Sequence, residues 1–391
     1  MRCFSAVRAF ALLAAAAAPL GAQDVPATRP LSMRSGVYFW TREEKLRGFA
    51  AFDSIFAAKP VRRGAAVHPL PAGRTLAVSR DIVNAFMRAN EVAGLLVLVD
   101  GRVRLERYAL GHSATRRWTS FSVGKSLTST LAGAAVKDGA IRSLDDNVAV
   151  YLTALTGSVY DGVTVRQLLT MTSGVAWNET YADPRSDIVQ LYNGVGASIP
   201  SPLGVAKALR RESIAGTRWR YKTVETHLLA NLLVAATKKS LAQYASEKLW
   251  APYGMEADAS WVVDDAGVEQ GGCCLQATLR DYGRIGQFVL DGARVNGVAI
   301  VPEGWMRAAT SKQADIGAPG HGYGYQWWTS DDGTFEAQGI FGQSIHVDPT
   351  RRLVVVMHSA WPTAVGEALE ARVVRFVATV TAAVDAERRK P

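Results

Sequence analysis

Ser122 and Lys125, in the run Ser122-Val123-Gly124-Lys125, are the residues of this chain whose types and spacing could do chemistry together. At positions i and i+3 of a helix the two side chains share a face and can touch. A serine hydroxyl is a weak nucleophile until a neighbouring base takes its proton. A lysine held in an apolar pocket loses part of its preference for charge and can share that role. A serine at a helix N-terminus also sits in a partial positive charge suited to an oxyanion. The pattern alone arises by chance roughly once in a chain of this length, and an ordinary polar helix start is the plain alternative. Here it opens a stretch, residues 122–136, of small and apolar residues with no strongly charged face. That composition predicts a buried helix, and a buried lysine needs a reason.

Other catalytic chemistries find less support. No complete G-x-S-x-G occurs: Gly111-His-Ser113, Gly196-Ala-Ser198 and Gly342-Gln-Ser344 all lack the final glycine. His68, His112, His227, His321, His346 and His358 are scattered, and none has the company of a general base. Neither C-x-x-C nor H-E-x-x-H is present, so no metal and no cofactor is expected. Cys273 and Cys274 are adjacent. Neighbouring cysteines rarely bridge, because the required Cα separation strains the peptide between them, so two small buried residues are expected.

The elements that must position the serine and lysine follow from pattern. Residues 95–99 form an apolar strand, Asp100-Gly101 a hairpin turn, and residues 103–108 the return strand. Thr164 with Gln167 and Ser240 with Gln243 read as capping boxes opening helices, and residues 225–233 read as a helix by pattern. Residues 175–204, rich in Pro, Asp, Gly and Ser, read as one long loop that could close over a substrate. Residues 278–290 return to helical periodicity. Residues 324–329, 334–338, 343–347 and 353–358 read as successive antiparallel strands with turns between them, one at 339–342. Residues 364–384 form an amphipathic closing helix. Strands thus occupy both ends of the chain and helices its middle.

Several segments, in order, make the chain similar to a known family. Thr119-Ser-Phe-Ser-Val-Gly-Lys-Ser126 resembles the nucleophile segment of class C β-lactamases, DD-peptidases, family VIII carboxylesterases and 6-aminohexanoate-dimer (nylon oligomer) hydrolases. Leu168-Leu-Thr-Met-Thr-Ser-Gly174, Gly216-Thr-Arg-Trp-Arg-Tyr221, Gln276-Ala-Thr-Leu-Arg-Asp-Tyr-Gly-Arg-Ile-Gly286 and Tyr323-Gly-Tyr-Gln-Trp-Trp328 fit the same pattern. The resemblance covers roughly residues 80–385. It implies an α/β fold of the β-lactamase/transpeptidase type, a mixed domain with an antiparallel sheet flanked by helices and an inserted, mainly helical domain. The divisions expected are a signal segment at 1–22, an N-terminal extension at 23–75 that wraps the domain, and a catalytic domain at 76–385. Within that domain the α/β part spans about 76–150 and 275–385 and the helical insertion about 151–274.

The resemblance also implies roles. Tyr221-Lys222-Thr223 stands at the family's Tyr-x-Asn or Tyr-x-Ser motif, which makes Tyr221 an acid/base facing Ser122 and turns Thr223 toward the substrate. The family's Lys-Thr-Gly is absent. Ala337-Gln338-Gly339 stands there instead, so Gly339 takes the glycine's position and the N–H of Ile340 would complete an oxyanion hole with that of Ser122. The missing lysine removes the cation that holds a β-lactam carboxylate, and also a charge that would help ionise a tyrosine. Either Lys125 or Tyr221 could therefore be the base. The loop Trp177-Asn-Glu-Thr-Tyr181-Ala-Asp-Pro184 is most similar to the nylon oligomer hydrolases, where a tyrosine contacts the scissile amide. Tyr181 could do so here, or could simply pack the loop.

The expected activity is acyl transfer to water on a small linear amide or ester, with β-lactamase or DD-peptidase action as the alternative and a non-catalytic penicillin-recognising domain as another. The 391 residues suffice for one large core or two linked ones, and the net charge of +9 is spread without basic runs longer than pairs, which does not suggest a nucleic-acid partner. Arg2, Arg8, the short apolar stretch 10–18 and Leu20-Gly21-Ala22 read as an export signal, and nothing else is apolar enough to span a membrane. The mature chain is therefore expected outside the cytoplasm, with a small-molecule substrate as its partner. Its oligomeric state is not legible.

Overall fold

The computed structural model describes residues 36–192 and 199–389. The expected signal segment lies outside the described residues. Val92–Val99 is apolar throughout and buried along its whole length, as a central strand covered on both faces must be. It pairs with Arg102–Tyr108 across the Asp100-Gly101 turn, and with Leu353–Ser359 on its other side. The sheet continues through Gln343–Asp348, Phe335–Gly339, Trp328–Ser330 and His321–Tyr323, seven strands in all, every neighbouring pair antiparallel.

Helices cover both faces. On one, Phe86 of helix Arg80–Ala89 stacks on Phe376 of the closing helix Glu367–Arg388, over Leu95, Val97, Val355 and Met357. On the other, helix Leu279–Leu290 lies so close that a Cβ at Gly283 would stand 2.6 Å from Leu96. Helix Val123–Lys137 packs against strands Phe335–Gly339 and Gln343–Asp348 and helix Thr223–Thr237, and is buried over its first 13 residues. A Cβ at Gly133 would stand 2.5 Å from the Trp305 ring, so its small residues answer to close approach.

A second sheet of four antiparallel strands, in the order Ala58–Val61, Ala259–Val262, Leu275–Thr278, Arg117–Thr119, ties the N-terminal extension to the middle of the chain. The extension enters through helix Arg42–Gly48, closed by a Thr41–Glu44 capping box. Phe49 then packs edge-on against Trp118 and Phe121. The Thr164–Gln167 box opens helix Val165–Leu169. At Ser240 the serine cap is present, and helix Leu241–Ala245 runs on through a π-helical turn, Ser246–Trp250.

Three local expectations are corrected. Residues 324–329 are not one strand: Gln326, at φ 63°, breaks them and donates its side-chain amide to the carbonyls of Leu168 and Leu169. Residues 175–204 are not one long loop. Ser186 caps helix Asp187–Leu191, Pro202–Ala208 is helical, and Trp177, Ile188, Val189 and Leu191 pack on Val224. Cys273 and Cys274 are buried as expected but joined in a disulfide, with Cα atoms 3.7 Å apart. Cys274 takes φ 72°, so the left-handed backbone accommodates a bridge that local reasoning disfavours. Among the described residues no helix is long and apolar enough to cross a membrane.

Candidate active site

The site begins at a strained turn. Strand Arg117–Thr119 delivers the chain to Ser120, whose N–H donates to the Leu275 carbonyl and whose Oγ accepts from the Leu275 N–H. Phe121 then adopts φ 41° inside an aromatic cluster with Phe49, Phe52 and Phe341. A bulky residue with positive φ is costly and persists only where packing over-determines it. The turn sets Ser122 at the cap of helix Val123–Lys137, in the positive end of its dipole.

One helical turn on, Lys125 is buried, with Nζ 2.9 Å from Ser122 Oγ and donating to the Gly272 carbonyl at 2.8 Å. Burial pulls its pKa down to about 7, with the Glu179 carboxylate acting in the opposite direction. Nζ also stands 5.0 Å from the centre of the Tyr221 ring. Burial and then the Glu179 charge push the Tyr221 pKa above the ordinary phenol value, with the Ser122 hydroxyl acting in the opposite direction. Trp328 stacks on the Tyr221 ring and Tyr323 meets it edge-on, fixing its plane. Ser122, Lys125 and Tyr221 are thus brought together across about a hundred residues of sequence.

Gly339 ends its strand against the nucleophile: a Cβ there would stand 2.8 Å from the Ser120 carbonyl oxygen and 3.1 Å from the Ser122 nitrogen. Only glycine permits that approach. It sets Ile340, first residue of the 3-10 turn Ile340–Gly342, beside Ser122 at the pocket rim. Tyr181 also lines the space over Ser122, but its hydroxyl donates to Glu179 at 2.9 Å. Thr223 lines the same space, with its hydroxyl likewise given to Glu179.

Sequence reasoning passed over Glu179. It accepts from the Thr223 N–H at 3.0 Å, and so caps helix Thr223–Thr237 from a different segment. It also accepts from Trp177 Nε1. The alternation Trp177, Glu179, Tyr181, two donors flanking a carboxylate, is the signal that could have found it. Also unforeseen is the holder of the Gly272 carbonyl. The Gly272 N–H donates to His227 Nδ1 at 3.1 Å, which leaves Nε2–H to face the Tyr192 hydroxyl at 2.8 Å. Burial, then the Lys125 charge, holds His227 well below its usual pKa, so it stays neutral. Tyr192 in turn touches Cys273 Sγ at 3.2 Å.

Two spaces meet at Ser122. One is a narrow pocket walled by the extension and the disulfide. The other is an open groove between the outer strands and the closing helix, lined by Tyr221, Glu179, Trp328, Glu336 and Gln338 among others.

Known proteins are similar to this chain to different degrees. The β-lactamase family profile matches residues 80–379. A 6-aminohexanoate-dimer hydrolase of Paenarthrobacter ureafaciens is 29% identical over 334 residues, covering 80% of this chain and 85% of that protein. A Bacillus anthracis protein described as a candidate 6-aminohexanoate-dimer hydrolase superposes with a TM-score of 0.79 at 21% identity, covering 88% of this chain and 95% of that one. A family VIII carboxylesterase superposes at 0.60 with 17% identity, covering 77% and 96%.

Proposed function

This chain belongs to the β-lactamase family, and on that footing we propose that it is a serine hydrolase that cleaves small linear amides or esters through an acyl-enzyme. The observation that carries the reading is the 2.9 Å contact between Ser122 Oγ and the buried amine of Lys125, whose pKa lies near 7. A lysine so placed is neutral in a substantial fraction of molecules at neutral pH and can accept a proton. Lys125 takes the Ser122 proton as Oγ attacks the carbonyl carbon. The N–H groups of Ser122 and Ile340 stabilise the oxyanion. Tyr221, kept protonated by burial, donates its proton to the departing nitrogen or oxygen and recovers one from Lys125. Water then repeats the sequence on the acyl-enzyme, releasing the acid and restoring Ser122.

The relative of Paenarthrobacter ureafaciens supports amide cleavage. The strand Phe335–Gly339 argues against β-lactams as the main substrates, since it offers Gln338 where a cation would hold their carboxylate. Export remains part of the proposal, and a disulfide in the mature chain is what an oxidising compartment favours. The test is Ser122→Ala against a p-nitrophenyl ester, with a fluorophosphonate probe read by intact mass. Wild-type protein should gain one probe at Ser122. The variant should stay folded, take no label and lose at least ~10³-fold in turnover. Turnover near the wild-type rate would overturn the assignment.

A further inference from the structure

The pocket and the groove that meet at Ser122 differ in charge. The groove carries Glu179, Asp332, Glu336, Asp348, Glu370 and Asp385 against Arg351, with His321 and His346 beside them. The pocket has no Asp, Glu, Lys, Arg or His among the described residues that line it. Val37, Tyr38 and Trp40 form one wall, Ile188 and Tyr192 another, and the Cys273–Cys274 disulfide lies beside Ser122. The ring of Tyr38 lies 5.6 Å from that of Tyr181 and 6.2 Å from that of Tyr192, so the extension completes the enclosure.

The two spaces also differ in the proton donor. Tyr221 lines the groove and not the pocket. A leaving group must lie against the acid that protonates it, so the groove receives the leaving group and the pocket the acyl chain. Resting on the serine-hydrolase reading, we propose that this pocket is an acyl subsite for an uncharged, apolar chain or ring, and that residues 37–40 set its specificity. An ammonium or carboxylate at the far end of the acyl chain would enter without a partner, and burying an unpaired charge is strongly unfavourable. Glu179, the carboxylate behind the wall, is already committed: Oε1 accepts from Tyr181 and Thr223, and Oε2 from Trp177 and the Thr223 N–H. Burial also keeps the Tyr38, Tyr181 and Tyr192 phenols un-ionised. Each methylene of a neutral chain gains contact instead, roughly fourfold in kcat/KM when fully buried.

The test compares p-nitrophenyl esters that share one leaving group: acetate, heptanoate, 6-aminohexanoate and hydrogen adipate. Heptanoate should exceed acetate by at least ~10-fold and both charged esters by at least ~100-fold in kcat/KM. Tyr38→Asp, which puts a carboxylate into the wall, should cut the preference for heptanoate over the 6-aminohexanoate ester by at least ~10-fold. A charged ester within ~10-fold of heptanoate, or a ratio that Tyr38→Asp leaves unchanged, overturns the inference. Acetate barely enters the pocket, so its Ser122-dependent turnover reads the parent proposal separately. Should acetate and all its homologues go unhydrolysed, the parent reading fails and this one with it.

Discussion

Acidification should switch off this enzyme by protonating Lys125. Its pKa, ordinarily 10.5, lies near 7 because burial disfavours the ammonium. That difference corresponds to about 5 kcal/mol against the charged form, which leaves about half the molecules with a neutral base at pH 7. An unperturbed lysine would leave only about one in 3,000. For a neutral ester, kcat/KM should hold level above pH 8 and fall about tenfold per unit below pH 6, with a midpoint near 7. Glu179 raises the Lys125 pKa, so Glu179→Gln should move the midpoint down. The same burial has a stability signature. Between pH 7 and 10.5 the unfolded chain binds a proton at this site that the folded chain does not, so the site's contribution to stability rises with pH across that window and is lost as pH falls through 7. Lys125→Met should therefore lose at least ~10³-fold in activity yet gain about 1–3 kcal/mol of stability at pH 6. Stopped-flow or steady-state rates from pH 5 to 9, with urea unfolding of both proteins at pH 6, read these outcomes. A rate flat from pH 5 to 8 would refute Lys125 as the base.

Tyr181→Phe should depress cleavage of a neutral linear amide such as N-hexylhexanamide by ~10- to 100-fold but of a p-nitrophenyl ester only a few-fold, provided its hydroxyl turns from Glu179 to the departing nitrogen, which only the amide needs protonated. Equal losses on both would mean that the tyrosine, bonded to Glu179, merely holds the loop. Gly339→Ala places a methyl 2.8 Å from the Ser120 carbonyl oxygen, so the strand must retreat from Ser122. Its kcat should fall ~10- to 100-fold with a smaller change in KM, the pattern of a displaced oxyanion donor, and an unchanged kcat would contradict that placement. Benzylpenicillin should show a lower kcat/KM than a p-nitrophenyl ester of a short acid, since Gln338 replaces a cation. The reverse order, measured by penicillin hydrolysis at 235 nm, would count against the linear-substrate reading.

The parts of the site legible in the sequence are those fixed by local geometry. Ser122 and Lys125 touch because they stand at i and i+3 of one helix turn, and that helix is buried because, Lys125 apart, its first turns are small or apolar. The Thr164–Gln167 cap and the Asp100-Gly101 hairpin are equally local. Tyr221 was found through an ordered set of motifs, since nothing in its own neighbourhood announces Ser122 as a partner. Tertiary structure decided the rest. The carbonyl that orients Lys125 belongs to Gly272, held by His227, and neither residue is near Lys125 in sequence. Glu179 reads as a loop carboxylate until the fold sets the start of helix Thr223–Thr237 against it. Adjacent cysteines argue against a bridge until the backbone at Cys274 turns left-handed. The uncharged lining of the pocket, drawn from residues 36 to 340, exists only after several separated segments meet, because a pocket's electrostatics belongs to the surfaces that face inward and not to any stretch of chain.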